Sequence, residues 1–215
     1  MSVIKHNSQR VAVLIDTQNL YHSARNLYSA RVNFSSVLEQ AVAGRQLVRA
    51  IAYVITTEAQ DESQFFEALT KMGIETKTKD LQIFYGGAKK ADWDVGMAVD
   101  AIRLASKIDT IVLVTGDGDF APLVEYVKQL GVQVEVVAFG QSSSSKLREV
   151  CEGFIDLSDD PKKFLINYRP NNNTYALKPK RPAATTQQQT QPKPRIKTKT
   201  REAPALKSII GDNAL

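Results

Sequence analysis

Val11-Ala12-Val13-Leu14-Ile15-Asp16-Thr17-Gln18-Asn19-Leu20 sets five consecutive apolar residues, rich in β-branched types, directly before an aspartate and a polar turn. An apolar run without polar alternation reads as a strand buried on both faces, as in a parallel sheet covered by helices. Ile111-Val112-Leu113-Val114, followed by Thr115-Gly116-Asp117-Gly118-Asp119-Phe120, repeats the pattern. In open parallel sheets, functional groups collect just beyond the carboxyl ends of the strands. Both acidic clusters fall there. On neighbouring strands their carboxylates would repel unless a cation neutralised them. Asp94, opening a helix-like stretch between the clusters, completes a candidate divalent-metal set of Asp16, Asp94, Asp117 and Asp119. Capping is the ordinary use of such residues, and Asp119 is expected to cap the helix near Ala121-Pro122 as a second role.

Outward from these strands the chain alternates. Helical segments are predicted over 20–27, 34–43, 64–72, 92–106, 121–130 and 145–151, with stops at Gly73 and Gly131. Strands are predicted over 47–55, 74–77, 81–85, 132–139 and 154–157. Alternation of this kind implies right-handed βαβ crossovers and helices on both faces of a parallel sheet. The organisation read from it is an N-terminal extension (1–10), an α/β domain (11–160), a short connecting segment (161–170) and a tail (171–215). The tail's Asn, Gln, Thr and Pro runs cannot repay the entropy of ordering, so disorder is expected there.

The chain of 215 residues carries a net charge of +5, unevenly distributed. Residues 161–215 hold 12 Lys+Arg against 2 Asp+Glu, leaving 16 and 21 for the rest. An acidic body joined to a basic tail points to a polyanionic partner. Lys193, Arg195, Lys197, Lys199 and Arg201 form a strip suited to phosphates. A single cysteine, Cys151, excludes an internal disulfide and reads as a small buried apolar residue, and two histidines, His6 and His22, do not make a zinc site. With no apolar stretch near the ~20 residues a membrane helix needs and no signal-peptide core, a soluble cytoplasmic protein without membrane contact is expected.

The segments Ile15 to Leu20, Lys89-Lys90-Ala91-Asp92-Trp93-Asp94-Val95-Gly96-Met97-Ala98-Val99-Asp100 and Thr115 to Phe120 occur in an order that resembles the NYN-domain proteins. The likeness is to their LabA-like branch, within the PIN-like nuclease superfamily. It implies a three-layer α/β/α sandwich with a central, mostly parallel sheet, and a ribonuclease using Mg²⁺ or Mn²⁺. Under the resemblance Asp16, Asp94, Asp117 and Asp119 are the catalytic, metal-holding residues. Asn19 supports them, with Asp92 as an adjacent alternative to Asp94. Asp100 matches a further family position, but it lies about 120° around an ideal helix from Asp94 and is assigned a supporting place. Asp-only ligation suits a hard, oxygen-seeking cation.

Lys89 and Lys90 offer charge to a phosphate, and Trp93 offers an aromatic face to a base or packs in the core. Tyr21 and His22 either reach the cleft or pack, and Ser142 to Ser145 read as a loop ending in an N-cap. The expected partner is single-stranded RNA. A homodimer, and a protein held through the tail, where Leu206, Ile209 and Ile210 cluster, are compatible with the sequence. Glu39 is the nearest counterpart of the extra helical acid of many PIN enzymes. The second functional class is a binding module with weak or no catalysis. A haloacid dehalogenase-type phosphatase needs a second aspartate where Gln18 stands, which counts against it.

Overall fold

A computed structural model describes residues 3–56, 62–83, 89–90 and 92–170, with the side chains of 82, 83, 89 and 90 outside the description. Strand β1 (Arg10–Asp16) passes directly into helix α1 (Thr17–Tyr28), because the Asp16 carboxylate caps the first turn. Short β2 (Arg31–Val32), α2 (Phe34–Val42) capped by Asn33, β3 (Gln46–Thr56), α3 (Ser63–Lys71) and β4 (Glu75–Asp80) follow. A two-residue pair, β5 (Gln82–Ile83) and β6 (Lys89–Lys90), precedes α4 (Asp94–Ala105). The chain then runs through β7 (Thr110–Val114), α5 (Ala121–Gln129), β8 (Gln133–Ala138), α6 (Ser145–Val150), β9 (Gly153–Asp156), α7 (Pro161–Phe164) and β10 (Leu165–Ile166). The stops expected at Gly73 and Gly131 are present, each with a left-handed φ.

The main sheet has six parallel strands in the order β4-β3-β1-β7-β8-β9. One half winds outward from β1 through β3 to β4, and the other from β7 through β8 to β9. The winding therefore reverses between β1 and β7, which opens a crevice at their carboxyl ends. Both faces are covered. In β1, Val11, Val13 and Ile15 pack with α1, α2 and α3, while Ala12 and Leu14 pack with α4, α5 and α6. That division makes the three-layer α/β/α arrangement, and it explains why β1 is apolar at every position from Val11 to Ile15. Among the described residues no helix is long and apolar enough to cross a membrane.

Several boundaries differ from those the sequence predicts. The strand expected over 74–77 runs 75–80, extended by exposed Thr78, Lys79 and Asp80, where apolar content gives no signal. Residues 84 and 85 of the strand expected over 81–85 lie outside the described residues. Residues 161–166 are folded against the body: Phe164 and Leu165 are buried, and β10 pairs antiparallel with β2. At the amino end of the sheet, Glu135 forms a buried ion pair with Arg45 at 2.5 Å and a second with Lys5 at 2.9 Å. Exposed Arg10 and Asp109 pair nearby, and the guanidinium lowers the Asp109 carboxyl to about 2.

Candidate metal centre

At the other end of the sheet, two turns are stitched together. The carboxylate of Asp16 accepts the Asn19 N–H at 3.0 Å through one oxygen and the Thr115 hydroxyl at 3.2 Å through the other. The Asn19 side-chain oxygen accepts the Gly116 N–H at 2.9 Å, so the turn after β1 holds the turn after β7. Thr115 Oγ1 also accepts the Asp117 N–H (3.2 Å), and the Asp117 carboxylate accepts the Asp119 N–H (3.0 Å). From the far side, the Ser144 N–H reaches the Gly116 carbonyl at 2.9 Å. A Cβ on Gly118 would lie 2.5 Å from Ser144 Oγ and 2.9 Å from its Cβ, so only glycine fits that approach.

Asp94 enters as the first residue of α4. One carboxylate oxygen from each of Asp94, Asp117 and Asp119 lies within 4.8 Å of the others. Ligand oxygens around one hard cation stand up to about 4 Å apart for Mg²⁺ and about 5 Å for Ca²⁺, so three oxygens within 4.8 Å lie close to the spacing such an ion sets. Among the described residues no Lys, Arg or His pairs with these three or with Asp16. The uncompensated charge is felt locally. Burial first, then the charges of Asp117, Asp92, Asp16 and Asp119, push the Asp94 carboxyl above its ordinary range. Burial also raises Asp16, against the opposing bonds from Asn19 and Thr115. A donor set of oxygens only, crowded and lacking a cation partner, fits a divalent hard ion.

Beside the carboxylates lies a cleft of about 210 Å³, lined by Asp16, Asp94 and Asp117 and by Gln18, Tyr53 and Trp93 among others. Trp93 is half-buried: its Nε1–H donates to the Val54 carbonyl at 3.0 Å and its ring lies 5.4 Å from that of Tyr53. The Tyr53 hydroxyl donates to Asp100 at 2.7 Å, and Lys77 Nζ reaches the same carboxylate at 2.6 Å.

The family model of the NYN domain matches residues 10–158. The chain belongs to the NYN-domain family. LabA, the low amplitude and bright protein of Synechococcus elongatus, is 26% identical over 161 residues, covering 70% of this chain and 84% of LabA. An uncharacterized protein of Methanocaldococcus jannaschii is 27% identical over 159 residues, covering 73% of this chain and 58% of that protein. A crystal structure of a Vibrio parahaemolyticus protein of unknown function superposes with a TM-score of 0.68 at 31% identity, covering 76% of this chain and all of the other.

This NYN domain, a PIN-like nuclease fold, brings the four expected aspartates to one end of the sheet, with a division of labour. Asp94, Asp117 and Asp119 make the three-way cluster, whereas Asp16 lines the adjoining cleft with one oxygen bonded in its own turn and the other to Thr115. Asp119 does not cap the following helix. The N-cap of α5 is Phe120, and Asp117 caps the 3₁₀ turn over Gly118–Phe120. Asn19 supports through Gly116, Asp92 lines the cleft, and Asp100 is buried against Tyr53 and Lys77. His22 lines the cleft while exposed Tyr21 bonds Arg25. Ser144 stands at the N-cap of α6 without a side-chain cap bond. Glu39 is exposed on α2, outside the cleft, and Cys151 is half-buried. The side chains of Lys89 and Lys90, and all of Lys193, Arg195, Lys197, Lys199 and Arg201, lie outside the described residues.

Sequence reasoning missed Thr115, Tyr53, Lys77 and Lys79. Thr115 carried a signal, as the polar residue joining an apolar strand to the Gly-Asp-Gly-Asp run. Tyr53 had none, sitting inside an apolar strand. Exposed Lys79 reaches the Asp92 carbonyl at 3.0 Å and stands 5.8 Å from the Trp93 ring, which puts a cation at the edge of the cleft.

Proposed function

We propose that this NYN domain is a metal-dependent endoribonuclease acting on single-stranded RNA in the cytoplasm, with Mg²⁺ or Mn²⁺ held by Asp94, Asp117 and Asp119. The observation that carries the reading is the set of three carboxylates within 4.8 Å, without a basic partner among the described residues, at the point where the sheet reverses its winding. When bound, such an ion supplies an activated water and stabilises the oxygens of the phosphodiester under attack. The chain supplies position. Asp16 and Asn19 fix the Gly-Asp-Gly-Asp turn, so the ligands stand ready and need not be gathered on binding. Lys79 offers charge to the substrate phosphate, and the basic strip at 193–201 recruits the strand from a distance.

A second reading, a binding module with little catalysis, draws on Asp16, whose two oxygens are already committed to Asn19 and Thr115. A cleavage assay separates the two. Single-stranded RNA incubated with the full chain and Mg²⁺ or Mn²⁺ is expected to be cut, chelator to stop the reaction, and Asp117→Asn to lower the rate at least a hundredfold. Equal cutting by wild type and Asp117→Asn would attribute the activity to a contaminant. Metal-independent binding without cutting would favour the module.

A further inference from the structure

The cleft has a wall that metal binding does not require. Besides carboxylates it presents the only tryptophan of the chain, Trp93, held by its bond to Val54, by the Tyr53 ring and by Gly96. A Cβ on Gly96 would lie 2.5 Å from Trp93 Cε3, so the glycine is what lets the indole seat there. The polar residues after Asp16 divide in a telling way. Thr17 Oγ1 is committed to the Tyr53 carbonyl at 2.6 Å and Asn19 Oδ1 to the Gly116 N–H at 2.9 Å. Gln18 lies between them in sequence, lines the cleft, and its side-chain amide bonds to no other described residue. His22, one helical turn further on, lines the same cleft. A fixed aromatic ring and an unengaged amide lining one cleft are the chemistry that receives a flat heterocycle with a hydrogen-bonding edge. The volume of about 210 Å³ suits one such group and not a paired duplex.

We propose that Trp93 and Gln18 form a subsite for one unpaired nucleobase, with the ring stacked on Trp93 and its edge read by the Gln18 amide. The proposal rests on the ribonuclease reading, since the nucleotide so held would present its phosphate to the neighbouring carboxylates. Gln18 sets base preference and Trp93 supplies affinity common to all bases.

Because Trp93 is the only tryptophan, its emission reports the subsite directly. The full chain in Mg²⁺ is titrated with the four nucleoside 5′-monophosphates, which contain no phosphodiester to cut, and with ribose 5-phosphate. Saturable quenching by the nucleotides and none by ribose 5-phosphate is expected. Gln18→Leu should weaken the best-bound nucleotide about 3- to 10-fold and level the differences among bases. Trp93→Ala, followed by calorimetry, should weaken all four about tenfold or more, with Trp93→Phe recovering part of the loss. Emission indifferent to nucleotides, or Gln18→Leu leaving all four affinities unchanged, overturns the subsite. If RNA is nevertheless cut in a metal-dependent way, the ribonuclease reading survives that failure. If nucleotides quench while RNA is never cut, the subsite stands and the ribonuclease reading falls.

Discussion

Asp94 and Asp100 stand on one helix, six residues apart, in opposite electrostatic surroundings. Burial works against the Asp100 anion, but bonds from Lys77 and Tyr53 outweigh it and hold the carboxyl below its usual range. Asp94 meets only burial and like charge, and is raised. Removing the Asp94 charge should therefore help stability, and removing the Asp100 charge should hurt it. Asp94→Asn is expected to raise the melting temperature of the metal-free protein by up to about 2–4 °C, corresponding to a repulsion of at most ~1 kcal/mol at a partly exposed site. Added Mg²⁺ should then stabilise wild type and leave the variant unmoved, as differential scanning calorimetry can check. Asp100→Asn should cost ~1–3 kcal/mol in urea unfolding, because it leaves Lys77 and Tyr53 without their charged acceptor. The helical angle between the two residues was legible in the sequence, and the structure has Asp94 in the acidic cluster and Asp100 outside it. The hydroxyls of Tyr53 and Thr115 were not, since their roles depend on which strand lies alongside.

The amino end of the sheet carries one buried and one exposed ion pair, away from the unpaired acids. Glu135 on β8 is 1% exposed and pairs with Arg45 at 0%, whereas Arg10 and Asp109 are 50% and 40% exposed. Magnitude follows burial. Glu135→Ala strands a buried guanidinium and should cost ~3–5 kcal/mol, against ~0–1 kcal/mol for Asp109→Ala. Burial raises the Glu135 carboxyl, but Arg45 and Lys5 bring it below its ordinary 4.5. A depressed carboxyl lends stability that is complete above its unfolded pKa and disappears as the pH falls through the folded value. Urea midpoints should thus fall steeply below about pH 4.5 in wild type and less steeply in Glu135→Gln. Strand and helix positions were largely readable because apolar runs and Gly stops are local signals. The polar continuation of edge strand β4 beyond Lys77 and the β2–β10 pair were not, because short or edge strands draw their stability from a partner that the local sequence does not name.

At the scale of the whole molecule, an acidic pocket at the β1–β7 reversal is joined in one chain to a strongly basic C-terminal segment. If that segment recruits RNA and the pocket cuts it, deletion of residues 171–215 should weaken RNA binding and flatten its dependence on salt, while the metal-dependent cleavage rate at saturating RNA stays within about twofold. Filter binding across a salt series measures the first and single-turnover cleavage the second. The parallel α/β class and the gathering of four aspartates could be read from two apolar runs and the acidic turns that close them. The geometry of the acidic cluster could not, because it depends on Asn19 and Ser144 fastening one turn to the next. Metal-dependent cleavage requires a cation sitting among those carboxylates. Calorimetric titration with Mn²⁺ tests this most directly: wild type should bind in the micromolar to millimolar range, Asp94→Asn and Asp117→Asn should lose at least tenfold in affinity, and Asp100→Asn should bind nearly as wild type does. Equal Mn²⁺ affinity in wild type and Asp117→Asn would contradict the metal centre.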